Sequence, residues 1–114
     1  MDIVRTPITL SDLQTMAEST FGELVKAVVD VERGIMAVDA ELHSDEEAAL
    51  LSDGSMQADL WGINLRPGLY PEEDWVEFDS LINLRPWQGN RSRGVEDEAV
   101  RRRILAIVDS LVVP

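Results

Sequence analysis

The 114-residue sequence has no cysteine, one histidine and one lysine, and each scarcity excludes something. Without cysteine there is no disulfide framework, thiolate nucleophile, iron–sulfur cluster or cysteine zinc site, so any chemistry rests on oxygen, nitrogen and backbone groups. A single histidine rules out H-E-x-x-H and the two-histidine-one-carboxylate triad. No apolar run approaches the roughly 18 residues of a membrane span, and the opening MDIVRTPITLSD lacks a basic segment leading into an apolar one. The expectation is a soluble, cytoplasmic chain with no membrane partner. Apolar residues make up 45% of it, enough for one core, so residues 1–114 read as a single domain.

Bases are few: 10 against 22 acids, a formal charge of −12. The excess is lopsided. Residues 1–60 hold 13 acids and 3 bases, residues 61–114 hold 9 acids and 7 bases, and the window 85–103 reverses sign to +3. Nine of the ten bases are arginine, which favours forked, bidentate contacts.

Thr9 is placed to cap a helix whose apolar positions are Leu10, Leu13, Met16, Ala17 and Phe21, ending near Gly22. Residues 24–31 alternate as a half-buried strand, with Val25, Ala27, Val29 and Val31 on one face. A turn at Glu32-Arg33-Gly34 returns a second strand over Ile35–Leu42. Ser44 and Glu47 fit a capping box for a short helix stopped by Asp53-Gly54. A third strand is predicted over Leu60–Leu65, a loop over Arg66–Glu73 and a fourth strand over Trp75–Arg85. Asp97 caps a last helix carrying Val100, Ile104, Ile107, Val108 and Leu111. The predicted fold is α+β, a two-layer sandwich of order α-β-β-α-β-β-α, with a mostly antiparallel four-stranded sheet and helices packed on one face.

Ile63-Asn64-Leu65-Arg66-Pro67 recurs as Ile82-Asn83-Leu84-Arg85-Pro86. If Ile and Leu of each copy face the core, Asn64, Arg66, Asn83 and Arg85 project to the opposite face, shared with Lys26 and Asp30.

The runs VDVERGIMAVDAELHSDEE, DGSMQADLWG and INLRPWQGNRSRGVED resemble a family of small prokaryotic proteins known only as a domain of unknown function, over roughly residues 3–112. The resemblance implies no activity. Its members run glycine-rich where this chain has Val38-Asp39-Ala40, and some carry cysteine at Glu46, so a thiol mechanism does not transfer.

Two segments carry candidate chemistry. The first is the loop 85–94, where Arg85, Arg91 and Arg93 can clamp an anion, Asn83, Gln88, Asn90 and Ser92 supply donors and Trp87 stacks. A small phosphate- or carboxylate-bearing ligand fits it, although the alternative is a structural loop whose arginines bind the chain's own acids. Neither a Walker loop nor a dinucleotide fingerprint is present, and no cofactor is expected. The second is His43 with Asp45, Glu46 and Glu47, a candidate acid–base or metal-assisted hydrolytic group, or simply a helix start. No serine lies in a G-x-S-x-G elbow, and the overall negative charge argues against nucleic acid. The leading expectation is a binding domain for a small anion. The alternatives are a homo-oligomeric or partner-binding module, with the repeated pentapeptide in its interface, and a hydrolase or metal-dependent enzyme using His43.

Overall fold

The computed structural model describes all residues, Met1–Pro114. The chain forms β1 (Asp2–Val4), β2 (Ile8–Thr9), α1 (Leu10–Ser19), β3 (Val25–Asp30), β4 (Ile35–Val38), α2 (His43–Ser52), β5 (Leu60–Leu65), β6 (Val76–Glu77), α3 (Glu98–Leu111) and β7 (Val112–Val113). Five strands make one sheet in the order β1-β4-β3-β5-β6, antiparallel throughout, and β2 and β7 pair parallel beside it. The fold is α+β with three α-helices.

Local chemistry explains most boundaries. The Thr9 hydroxyl accepts from the Asp12 amide and the Asp12 carboxylate accepts from the Thr9 amide, both at 3.1 Å, which starts α1. The Asp97 carboxylate accepts from the amides of Ala99 and Val100 and starts α3. Between β3 and β4, one Asp30 oxygen accepts from the amides of Glu32 and Arg33 at 2.9 Å, and Gly34 takes φ +68°.

Period-2 alternation in the strands sorts the core onto two faces. Val25, Ala27, Val29, Met36, Val38, Trp61, Ile63 and Leu65 pack with Leu13 and Ala17 of α1 and Ile104, Val108 and Leu111 of α3. Val28, Ile35, Ala37 and Leu60 face the other way and pack with Leu50 of α2. The helices are therefore divided between the faces rather than gathered on one. The side facing α2 carries Lys26 opposite Asn64 and Asp30 opposite Leu60 in register.

Three strand expectations change. The sheet has five strands rather than four, because Asp2–Val4 adds an edge beside β4. The second strand stops at Val38, where Asp39 turns to φ +70°. The fourth, expected over Trp75–Arg85, is a strand only at Val76–Glu77; a 3-10 turn takes Leu81–Asn83, and another follows at Pro86–Gln88. Side chains replace the missing strand along the edge of β5. The Asn83 side-chain amide accepts from the Gly62 amide at 2.8 Å and donates to the Gly62 carbonyl at 2.9 Å. Arg85 donates to the Leu60 carbonyl. An edge that would otherwise expose unpaired backbone is thereby closed.

Candidate functional site

The loop 85–94 is held from within. Arg85 is 1% exposed: its Nε donates to the Ile82 carbonyl at 2.8 Å, Nη1 to the Gln57 carbonyl at 2.9 Å, and Nη2 to Leu60. Its guanidinium lies 4.4 Å from the Trp61 ring centroid. No carboxylate touches it. Burial lowers its pKa from the usual arginine value, with the charge of Glu47 acting the other way. Buried Asn83 also donates to the Arg93 carbonyl at 3.0 Å. Asn90 donates to the carbonyls of Asn83 and Gly94 and accepts from the Glu96 amide. Gln88 donates to the Ala58 carbonyl at 2.8 Å.

Four of the residues expected to hold a ligand, Asn83, Arg85, Gln88 and Asn90, thus secure the loop against β5 and the turn at Gln57–Asp59. The expectation that the arginines meet the chain's own acids holds for Arg93, whose Nε pairs with Asp79 at 2.6 Å, and not for Arg85, which takes carbonyls. Ser92 accepts from the Gly94 amide. Arg91 donates its amide to Glu96 while its exposed guanidinium has no acidic partner.

This anchoring fixes a surface. Trp87 is 76% exposed on the turn next to Arg85, Met56 is 69% exposed beside the turn that Arg85 and Gln88 grip, and Leu81 and Leu84 are exposed in the preceding segment. Residues 80–95 contain no acid at all.

The His43 segment is arranged differently from the expected cap. α2 begins at His43, with Leu42 at the N-cap position and no side-chain cap bond, so Ser44 and Glu47 do not form the box. Glu46 instead reaches back, accepting from the Ala40 amide at 3.1 Å. It is 0% exposed, and burial pushes its pKa up to about 9, so it is neutral at pH 7. His43 is 8% exposed, and its Nε2 lies 2.7 Å from the Ile63 carbonyl. A carbonyl only accepts, so Nε2 carries the proton and Nδ1 keeps its lone pair. Burial lowers the imidazole pKa, and the charges of Lys26, Asp79 and Arg93 all reach the ring. Asp45 is exposed on α2 and touches neither His43 nor the loop.

The two candidate segments act on each other through charge: those of Asp79 and Arg93 reach His43, and that of Glu47 reaches Arg85. Sequence reasoning passed over Met56, and it named Lys26, Glu46 and Asp79 without their burial or partners. Four buried oxygens on the α2 side of the sheet, Asp30 Oδ2, Glu46 Oε1, Glu47 Oε2 and Asn64 Oδ1, have no protein partner.

No group of three or more His, Asp or Glu side chains is placed to hold a metal ion, and no helix is long and apolar enough to cross a membrane. The main clefts lie elsewhere. One of about 550 Å³ separates α1 from Arg66–Leu69, and one of about 650 Å³ separates Glu72–Phe78 from α3.

Comparison with known families matches residues 2–111 to one family model, described as protein of unknown function (DUF5674). No curated protein and no solved structure matches the chain.

Proposed function

We infer a function from geometry, because the chain belongs to the DUF5674 family, whose description assigns no activity: it is a self-associating module whose contact face is built around Trp87. The observation that carries this reading is the exposed indole on a turn that a buried arginine immobilises. Rigid aromatic side chains surrounded by apolar neighbours are the usual anchors of protein interfaces, because they bury large areas at small entropic cost. Met56, Leu81 and Leu84 extend the apolar surface.

Charge favours a second copy of this chain as the occupant. Two molecules of formal charge −12 repel each other over most of their surfaces. The acid-free segment 80–95 is where they can approach, and a twofold contact there places like apolar groups together without needing opposite charges. The small-anion reading in its original form, a clamp of Asn83, Arg85, Gln88 and Asn90, is disfavoured because their donors are already bonded within the chain.

Size-exclusion chromatography with light scattering tests this reading. The native chain is expected to run at twice the mass of one chain. Trp87→Ala is expected to run as a single chain with its thermal midpoint nearly unchanged, since the indole makes few contacts within its own chain. A native chain that stays monomeric at hundreds of micromolar contradicts it.

A further inference from the structure

The last strand of the sheet, β6, lies beside α3 across two adjoining clefts of about 650 and 380 Å³ that share Glu72, Glu73, Val76 and Leu105. Together they form one groove, which has no residue in common with the Trp87 face. Its floor is apolar: Trp75, Val76 and Val108 are buried, and Leu105 on α3 is 39% exposed. The β6 wall is preformed. Trp75 meets the Tyr70 ring edge-on with centroids 5.0 Å apart, its amide donates to the Glu72 carbonyl at 3.1 Å, and its carbonyl accepts from the Arg66 amide at 2.7 Å. Arg101 stacks on Phe78 at 4.3 Å and bounds one end.

Two features of this groove are left unpaired. The first is backbone. The Arg66 amide bonds to Trp75 and the ladder pairs Asn64 with Glu77, so strand alternation turns the N–H and C=O of Val76 away from β5. No group of the chain bonds to either, although Val76 is only 5% exposed, and a buried amide and carbonyl call for partners. The second is charge. Glu72, Glu73 and Asp74 on one wall and Asp109 on the other are exposed, and none forms a salt bridge.

We propose that the groove between β6 and α3 docks an extended, positively charged peptide segment of a partner protein, which pairs its backbone with Val76 as an added strand.

The chemistry selects that occupant. An open strand edge is met by main-chain hydrogen bonds from an added strand, with flanking pockets choosing its side chains. Four unpaired acids call for lysine or arginine on that strand, and Leu105 with Val108 calls for an apolar residue between them. From Arg101 to Asp109 the groove follows about 12 Å of α3, the length of about four residues of extended chain. A second copy of this chain is a poor occupant: it brings another charge of −12, and its run Arg101-Arg102-Arg103 is wound into α3.

The test is a titration of the full chain with a capped peptide of about six residues in which lysine and valine alternate, followed by amide resonances. Saturable shifts are expected at Val76, Leu105 and Asp109, with the Val76 amide protected from exchange. The same peptide with glutamate for lysine, or with its backbone N-methylated, is expected to bind at least tenfold more weakly. Leu105→Lys and the pair Glu72→Gln with Glu73→Gln change exposed side chains, so the fold is expected to persist, and each should weaken the lysine peptide at least fivefold. Glu18→Gln with Glu23→Gln removes the same charge outside the groove and should change binding less than twofold. Absence of saturable shifts in the native chain overturns the proposal. So does equal binding of the N-methylated peptide, or equal weakening by the two glutamate pairs, which would mean attraction to the net charge alone.

Discussion

Glu46 shows how far a single side chain can depart from what its position in the sequence advertises. It lies in the acidic run Asp45-Glu46-Glu47, which reads as a solvated helix face, yet it is sealed beneath α2 with one oxygen on the Ala40 amide. Its pKa of about 9 in the fold lies above its ordinary 4.5, so between those values the folded chain holds a proton that the unfolded chain has released. Stability is therefore undiminished below the unfolded pKa and falls as pH rises toward 9. Glu46→Gln, which keeps the shape and the acceptor without the charge, is expected to raise stability at pH 7 on the order of 2–3 kcal/mol. It should also flatten the decline in urea midpoints between pH 5 and 9. Unchanged midpoints across that range would show that Glu46 ionises without penalty. His43 acts in the opposite sense: its lowered pKa costs stability as pH falls through about 6.5, so the two buried groups oppose each other near neutrality.

Elements with strong periodicity or a capping signal were legible from residues alone. β5 lies where predicted, α1 starts on the Thr9–Asp12 box, and α3 starts on Asp97. What failed was any element defined by side chains standing in for backbone. The repeated pentapeptide makes the point: Ile63–Leu65 lie in a strand, while Ile82 and Asn83 lie in a 3-10 turn whose amide side chain mimics the neighbouring strand. Both copies share only their ends, where each Arg-Pro opens a 3-10 turn closed by a bond to the arginine carbonyl at 3.0 Å. The mimicry depends on close approach at Gly62. A Cβ there would lie 2.5 Å from the Cβ and Oγ of Ser80, against a segment fixed by its own hydrogen bonds. Gly62→Ala is expected to cost about 2 kcal/mol or more by overpacking. Exchange of the Gly62 amide should accelerate with it; a neutral substitution would mean that the 80–83 segment can move aside.

At the scale of the whole molecule, the uneven charge organises the account. The sequence located the cationic window but not the direction of its guanidinium groups: six of nine arginines pair with the chain's own acids, Arg85 is buried on carbonyls, and Arg91 and Arg102 have no acidic partner. The candidate loop was thus visible in advance, but its chemistry was not, because donor satisfaction is a property of contacts between distant segments. What segment 80–95 presents to solvent is Leu81, Leu84, Trp87 and arginine with no acid, on a body that is otherwise strongly negative. Association through that face should therefore be opposed by long-range repulsion and favoured when salt screens it.

The most direct measurement is sedimentation equilibrium of the native chain from 50 mM to 1 M sodium chloride. Self-association through the Trp87 face predicts a monomer–dimer equilibrium that tightens as salt rises and is absent in Trp87→Ala. A single-chain mass at every concentration and salt level, or a dimer that loosens with salt and survives Trp87→Ala, would contradict it.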